Sequence, residues 1–369
     1  MSVPDRIKTW QMTRPWAKNP ETGEKTPGEI IQTEIDVPEL GKGDVLVEVA
    51  GCGVCHTDLG YFFDGVPTVV KPPLTLGHEI SGKVVAGDEA WIGKEVIIPA
   101  VMPCRKCMIC KTGRGNRCLA QKMPGNSIGI YGGFSSHIPV PSIDLCEVPD
   151  RGGMPLEHLA VVADAATTPF QAAKRAGIGP GDNVIVIGAC GGVGSYMTQL
   201  ASAFGARTVV GIDIDEERLK RALEYGATDV INSMGKNPKD VQKEFKGIAK
   251  SKGLPHNVGW KIFEVTGTRP GQEIALTLLS FVGKLIVVGF GMTKNEYMIS
   301  KLMAFDAEMI GTWGCLPEHY PAVLDMVLKN KVQVSPFVET RPMSTIVDTF
   351  NEIHEKGSPA RRVVLTPDF

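Results

Sequence analysis

The chain has 369 residues, which is room for two domains rather than one core. Its formal net charge is −2, so it lacks the basic excess that would draw it to nucleic acid or an anionic membrane, and neither partner is expected. The first ten residues carry charges and a proline where a signal peptide needs an apolar core, and no apolar run of about 18 residues follows, so the expected compartment is the cytoplasm.

In chain order, residues 17–29 are polar and turn-rich and predict a surface loop. The β-branched runs 45–49 and 95–98 predict short strands between turns, in a region with the texture of a partly open all-β barrel. Near residue 160 the texture changes to strands alternating with helices. Residues 183–187 predict a strand, 192–204 a helix, 208–213 a second strand and 216–225 a second helix. Residues 261–265 and 284–288 are further strands. Helices follow over 320–329 and 345–355, and the strand 361–365 comes last. Such alternation implies a doubly wound parallel sheet.

Nine cysteines in a reducing compartment argue against a disulfide framework. Four of them, Cys104, Cys107, Cys110 and Cys118, lie within fifteen residues. Such close spacing lets one loop wrap a tetrahedral ion at small closure cost, and four sulfurs leave no position for chemistry. Arg105, Lys106, Lys111, Arg114 and Arg117 would offset the thiolate charge. An iron–sulfur cluster or a zinc ribbon could use a similar quartet. The neutral charge balance and the βαβ half that follows speak against the ribbon, and a structural zinc is the preferred reading.

Gly188, Gly191, Gly192, Val193 and Gly194 lie between the strand 183–187 and a helix. Glycines there permit a tight turn and close approach of a pyrophosphate, and the helix N-terminus supplies free N–H groups. The strict G-x-G-x-x-G hexapeptide is absent, with alanine at 189. Asp213 stands at the end of the next strand, 19 residues after Gly194. Alone it reads as a solvated strand end. After this loop it reads as an acceptor for both ribose hydroxyls, favouring NAD over NADP.

Two further segments offer zinc-type ligands: Cys55-His56-Thr57-Asp58 and Gly77-His78-Glu79. Each alone has a plain reading as a core cysteine or a loop histidine. Together with the quartet and the glycine loop, in this order, they resemble the zinc-containing medium-chain alcohol dehydrogenases over nearly the whole chain. The resemblance implies a GroES-like β-barrel catalytic domain, residues 1–163 and 308–369, and a Rossmann NAD-binding domain, residues 164–307. It implies two zinc ions per chain, one held by the cysteine quartet and one by Cys55, His78 and Asp164, with Glu79 bound to the metal or behind it. Asp164 stands where many members have cysteine; its plain reading is a helix N-cap.

Further roles are implied in the same way. Thr57 would pass the substrate proton on, Asp58 would anchor a zinc ligand, and Arg362 would meet the pyrophosphate. The relay histidine of liver-type members is replaced by Gly60, so the proton would leave through water or His56; His56 could instead face the pyrophosphate. The segments 64–68, 115–126 and 129–137 resemble the branch that oxidises a cyclic allylic alcohol carried as a coenzyme A thioester in bacterial benzoyl-CoA degradation. The substrate implied is therefore a small alcohol, as an acyl-CoA, and the assembly a homodimer or homotetramer. The rivals are a simple-alcohol or polyol dehydrogenase, a zinc-free quinone or enoyl reductase, and a non-enzymatic protein of the same fold.

Overall fold

The computed structural model describes residues 4–357 and 359–369; the first three residues of the segment read for a signal peptide lie outside them. The chain divides into two compact units. The first holds the N-terminal part to residue 167 together with 314–328 and 334–369; the second holds 168–313 and 329–333. No helix among the described residues is long and apolar enough to cross a membrane.

In the first unit, seven strands form one sheet. Its order runs Cys146–Glu147, Glu95–Ile98, Glu79–Gly87, Asp44–Gly53, Arg362–Thr366 and Val338–Pro342, with His137–Pro141 also pairing with Asp44–Gly53. A second sheet joins Glu29–Asp36, Arg6–Arg14 and Leu74–Thr75. Alternation fills the core. Val45, Val47 and Val49 point into one apolar cluster with Ile80, Val84, Val96, Ile98, Ile138 and Leu365. The pairing of Asp44–Gly53 with Glu79–Gly87 slips twice, between Leu46 and Val47 and between Val49 and Gly51, and ends with Gly53 opposite Glu79. Such bulges bend a strand and re-aim its end. Residues 17–29 differ from the loop expected: Ala17–Lys18 and Lys25–Thr26 pair as a short exposed ribbon, and a long strand starts at Glu29.

The second unit is a six-stranded sheet, parallel throughout, with the order Asp229–Asn232, Thr208–Asp213, Asn183–Ile187, Lys261–Glu264, Lys284–Val287, Glu308–Gly311. In chain order this is 3-2-1-4-5-6, the doubly wound arrangement. Both faces are covered. Ile185, Ile187, Val210 and Ile212 meet Val241, Phe245, Ile274 and Leu278 from the helices Pro238–Ser251 and Arg269–Leu278. Val184, Val186 and Val209 meet Ala172, Ala176, Met197 and Ala201 on the other side. The expected domain boundary before residue 308 needs correction. Glu308–Gly311 pairs with Lys284–Val287 and completes the sheet, so the second unit runs to 313. The other boundary falls at 167/168 rather than at 163/164, which places Asp164 in the first unit. The last strand is short and mostly exposed, so it carries no apolar run to betray it.

Candidate functional site

The register of the large sheet assembles the first group of side chains. Gly53 lies opposite Glu79, and the Arg362–Thr366 strand brings Val364 opposite Gly53. Cys55, His78, Glu79 and Arg362 therefore converge from three strand ends far apart in sequence. Gly53 has to be glycine here: a β-carbon would stand 2.0 Å from Glu79 Oε2. Asp164 ends the 3-10 segment Leu156–Ala163. One ligand atom each from Cys55, His78, Glu79 and Asp164 lie within 4.8 Å of one another.

Cys55 precedes the helix His56–Phe63 in extended backbone. Asp58, fully buried, accepts the Cys55 N–H at 3.0 Å through one oxygen and the Gly77 N–H at 3.1 Å through the other. The second oxygen also lies 3.3 Å from His78 Nδ1, an ion-pair contact not aligned as a hydrogen bond. Asp58 thus fixes the backbone on both sides of the group and turns Nε2 of His78 inward, 3.6 Å from Asp164 Oδ2. Cys55 Sγ is 3.9 Å from the same oxygen. Bonds of about 2.0–2.3 Å at tetrahedral angles would hold ligand atoms about 3.3–3.8 Å apart, so sulfur, nitrogen and carboxylate sit as a zinc site requires. Burial alone depresses the His78 pKa, but the Asp58 charge and the contacts with Asp164 and Cys55 carry it well above the usual value.

Glu79 and Arg362 form a buried pair behind these ligands. Arg362 Nε donates to Glu79 Oε2 at 2.9 Å, and its Nη2 donates to Oε1. Burial lifts the Glu79 carboxyl above its usual range, with Arg362 opposing, and Glu79 holds Arg362 charged. Both Glu79 oxygens accept from Arg362, so of the four converging donors Glu79 is the one with an arginine partner, and the set Cys55, His78 and Asp164 has the composition of a three-ligand zinc site. Arg362, expected at the pyrophosphate, is placed by the structure on Glu79. Thr57 Oγ1 lies 3.7 Å from Cys55 Sγ. His56 is exposed at the helix start; nearby protein mass and the Arg362 charge lower its pKa.

The sequence reading missed Tyr61 and Asn126. Tyr61 lies one helical turn after Thr57, on the same face, and Asn126 Nδ2 donates to its hydroxyl. That i, i+4 spacing was the available signal.

The four loop cysteines also close on a point. Sγ–Sγ separations are 3.5 Å for Cys107–Cys110, 3.7 Å for Cys107–Cys118 and 4.0 Å for Cys104–Cys110, all far beyond a disulfide. They match the edges of a tetrahedron with about 2.3 Å bonds. Backbone N–H groups of Cys104, Cys107 and Ala120 donate to the sulfurs at 3.3–3.4 Å and lower the cost of thiolate charge. The backbone N–H groups of Lys106 and Cys107 bring the Cys104 thiol down to about 6. Arg105 pairs with the buried Asp144, which ties the loop to the barrel.

In the second unit, Gly188 ends the Asn183–Ile187 strand with φ +84°, and the helix Gly194–Ala203 follows. A β-carbon at Gly194 would stand 1.8 Å from the Gly188 oxygen, so strand and helix pass too closely for any side chain. At Gly191 a β-carbon would meet only that oxygen, at 3.5 Å, which leaves open space above the loop. Val193 and Gly192 complete the turn into the helix. Asp213 accepts the Cys190 N–H at 2.8 Å and the Ile214 N–H at 2.7 Å, which holds its carboxylate at the loop's edge. The loop lies next to the switch point of the sheet, where doubly wound folds take dinucleotides.

The "Alcohol dehydrogenase GroES-like domain" family matches residues 41–150, and the "Zinc-binding dehydrogenase" family matches residues 192–329. An alcohol dehydrogenase of Geobacillus stearothermophilus is 31% identical over 338 residues, 90% of this chain and 94% of its own. This chain belongs to the zinc-type medium-chain alcohol dehydrogenase family. An NAD-dependent alcohol dehydrogenase of Sulfolobus acidocaldarius is 30% identical over 92% of this chain and 96% of its own. Among solved structures, acetophenone reductase from Geotrichum candidum in complex with NAD superposes with a TM-score of 0.81 at 26% identity, over 99% of this chain and 98% of its own. Galactitol-1-phosphate dehydrogenase from Escherichia coli shares the fold with a TM-score of 0.83 at 24% identity, over 98% of this chain and all of its own. As a zinc-type alcohol dehydrogenase, the chain is an oxidoreductase acting on CH–OH groups. Its donor sets fit one catalytic and one structural zinc.

Proposed function

We propose that this dehydrogenase oxidises 6-hydroxycyclohex-1-ene-1-carbonyl-CoA to 6-oxocyclohex-1-ene-1-carbonyl-CoA, with hydride passing to NAD. The observation that carries the chemistry is the convergence of Cys55, His78, Glu79 and Asp164, with Glu79 also paired to Arg362; on this reading Cys55, His78 and Asp164 hold the zinc. Zinc held there supplies a Lewis acid that lowers the pKa of the substrate hydroxyl, and the nicotinamide of NAD supplies the hydride acceptor. Thr57, beside Cys55, takes the hydroxyl proton and hands it toward exposed His56, whose lowered pKa keeps the ring neutral and able to accept it. Asp58 holds His78 and the backbone of Cys55 and Gly77 in place through the cycle. Asp213 favours NAD because a 2′-phosphate would face its charge.

The choice of alcohol rests on the segments 64–68, 115–126 and 129–137, and on chemistry: conjugation with the ring alkene eases hydride loss from the allylic carbon. A second reading has its own support, since sorbitol dehydrogenases of Arabidopsis thaliana and Bacillus subtilis are 28% and 29% identical to this chain. On that second reading the substrates are polyols. A homodimer or homotetramer in the cytoplasm is the assembly expected.

The test counts zinc per chain and follows NADH with the cyclic hydroxyacyl-CoA, cyclohexenol, ethanol and sorbitol. Two zinc ions and NAD-linked turnover selective for the CoA ester support the reading. Two zinc ions with turnover of sorbitol and not of the ester keep the mechanism and discard this substrate. A single zinc, or turnover with NADP alone, overturns the site assignment.

A further inference from the structure

Tyr61 holds a hydrogen-bond donor with no acceptor among the described residues. Asn126 sits on three anchors: its Oδ1 accepts the Val69 N–H at 3.2 Å, its backbone oxygen accepts the Val70 N–H at 2.9 Å, and its Nδ2 donates to the Tyr61 hydroxyl oxygen. The Val69 contact fixes which end of the amide is oxygen, because a backbone N–H can only donate. Nδ2 is therefore the donor, and the Tyr61 oxygen is the acceptor. The phenol's own O–H must then point elsewhere, and among the described residues no acceptor receives it. Tyr61 and Asn126 are both buried, so an unused donor here is costly unless a bound molecule takes it.

Its place is beside the ligand group. Tyr61 shares a helix face with Thr57, whose hydroxyl lies against Cys55. From the other side, Gly125 packs on the backbone ahead of His78: a β-carbon on it would stand 2.8 Å from Gly77 N. The amide that orients the phenol is thus built onto the backbone that presents a metal ligand. Burial also pushes the Tyr61 pKa up, which keeps the proton on the oxygen at neutral pH.

We propose that Tyr61 is a specificity-determining residue: its O–H donates to an acceptor oxygen one or two carbons from the substrate's carbinol carbon. A ring thioester carbonyl supplies such an oxygen, and so does the neighbouring hydroxyl of a polyol. The proposal rests on the reading that Cys55, His78 and Asp164 hold the zinc at which an alcohol is oxidised, and it deepens that reading without depending on which alcohol. An enzyme site built to donate to a substrate oxygen discriminates strongly against analogues that lack it.

The test uses Tyr61→Phe in the zinc-loaded enzyme, with Asn126→Ala as a second variant. Four substrates are compared: the cyclic hydroxyacyl-CoA, methyl 6-hydroxycyclohex-1-ene-1-carboxylate, sorbitol and plain cyclohex-2-en-1-ol. For whichever oxygen-bearing alcohol the wild type turns over, Tyr61→Phe is expected to lower kcat/KM about 10- to 100-fold. Cyclohex-2-en-1-ol should change less than about 2-fold, which also shows the variant is folded and metal-loaded. Asn126→Ala, which frees the phenol to turn, should reduce the same selectivity to a smaller degree. An equal fall on all substrates, with zinc lost, marks a packing role and overturns the proposal. No fall on the oxygen-bearing alcohols also overturns it. Which alcohol responds separates the thioester from the polyol: a response with sorbitol alone discards the CoA ester and leaves the role of Tyr61 standing.

Discussion

Asp164 shows how one residue joins two readings. It follows a 3-10 segment and its backbone oxygen accepts from Thr167 at 3.4 Å, yet its carboxylate lies 3.6 Å from His78 Nε2 and 3.9 Å from Cys55 Sγ. Asp164→Ala should leave one zinc per chain, that of the cysteine loop, and lower turnover by at least about 100-fold, since losing even an outer-shell partner costs 10–100-fold in metal affinity; metal analysis beside an NADH assay decides it. His78 adds a pH dependence. Its folded pKa is raised, so in the metal-free protein its stabilisation is fully present below the unfolded value near 6.5 and is lost as pH rises through the folded pKa. Zinc takes only the neutral ring. Acid therefore competes with metal, and the competition begins at higher pH than an ordinary histidine would give. Dialysis against a fixed chelator from about pH 9 to 5 should show the catalytic zinc leaving as pH falls; retention independent of pH would contradict this.

At the scale of elements, the Glu79–Arg362 pair links the start of Glu79–Gly87 to the start of Arg362–Thr366 across the Asp44–Gly53 strand. Both side chains are more than nine-tenths buried. Removing one partner leaves the other charge stranded, so Arg362→Met should destabilise the first unit by about 3–5 kcal/mol. Denaturant unfolding measures this, provided the transitions of the two units are resolved. The glycine loop is governed by a different pairing, in which Asp213 braces the Cys190 N–H from the neighbouring strand. Asp213→Asn keeps the acceptor and removes the charge. It should narrow the preference for NAD over NADP roughly 10- to 100-fold, about 1.4–2.8 kcal/mol, read from kcat/KM for the two cofactors.

For the whole molecule, the two units carry different parts of the chemistry: both metal groups belong to the first and the dinucleotide loop to the second. Cys107 touches two of the other three loop sulfurs. Cys107→Ser should release the structural zinc and lower the thermal midpoint, because a structural metal supplies folding free energy. NAD affinity should stay within about 2-fold, since nothing in the glycine loop depends on that sulfur. Calorimetric NAD titration of the variant, alongside its zinc content and melting curve, tests this separation; a parallel loss of NAD binding would refute it.

Local chemistry was legible in the residues themselves. Four cysteines within fifteen residues and a glycine turn after an apolar run each reflect contacts close in sequence, where spacing alone sets geometry; the acid ending the next strand was readable because a parallel strand pair returns it to the loop. The strands Glu95–Ile98, Asn183–Ile187 and Thr208–Asp213 were readable for the same reason, since their apolar runs are bounded by turns. Long-range pairing was not readable. The exposed strand Glu308–Gly311 has no apolar signature, and only its hydrogen bonds to Lys284–Val287 make it part of the sheet. Arg362 looked like a phosphate ligand until sheet register set it against Glu79, 283 positions away. Tyr61 gained its meaning from Asn126, 65 positions on, because a hydroxyl's donor direction is decided by what else its oxygen accepts. Sequence alone determined which atoms could bind metal and cofactor. The tertiary structure decided which of them are already engaged, because hydrogen bonds and ion pairs between distant strands have no local signature.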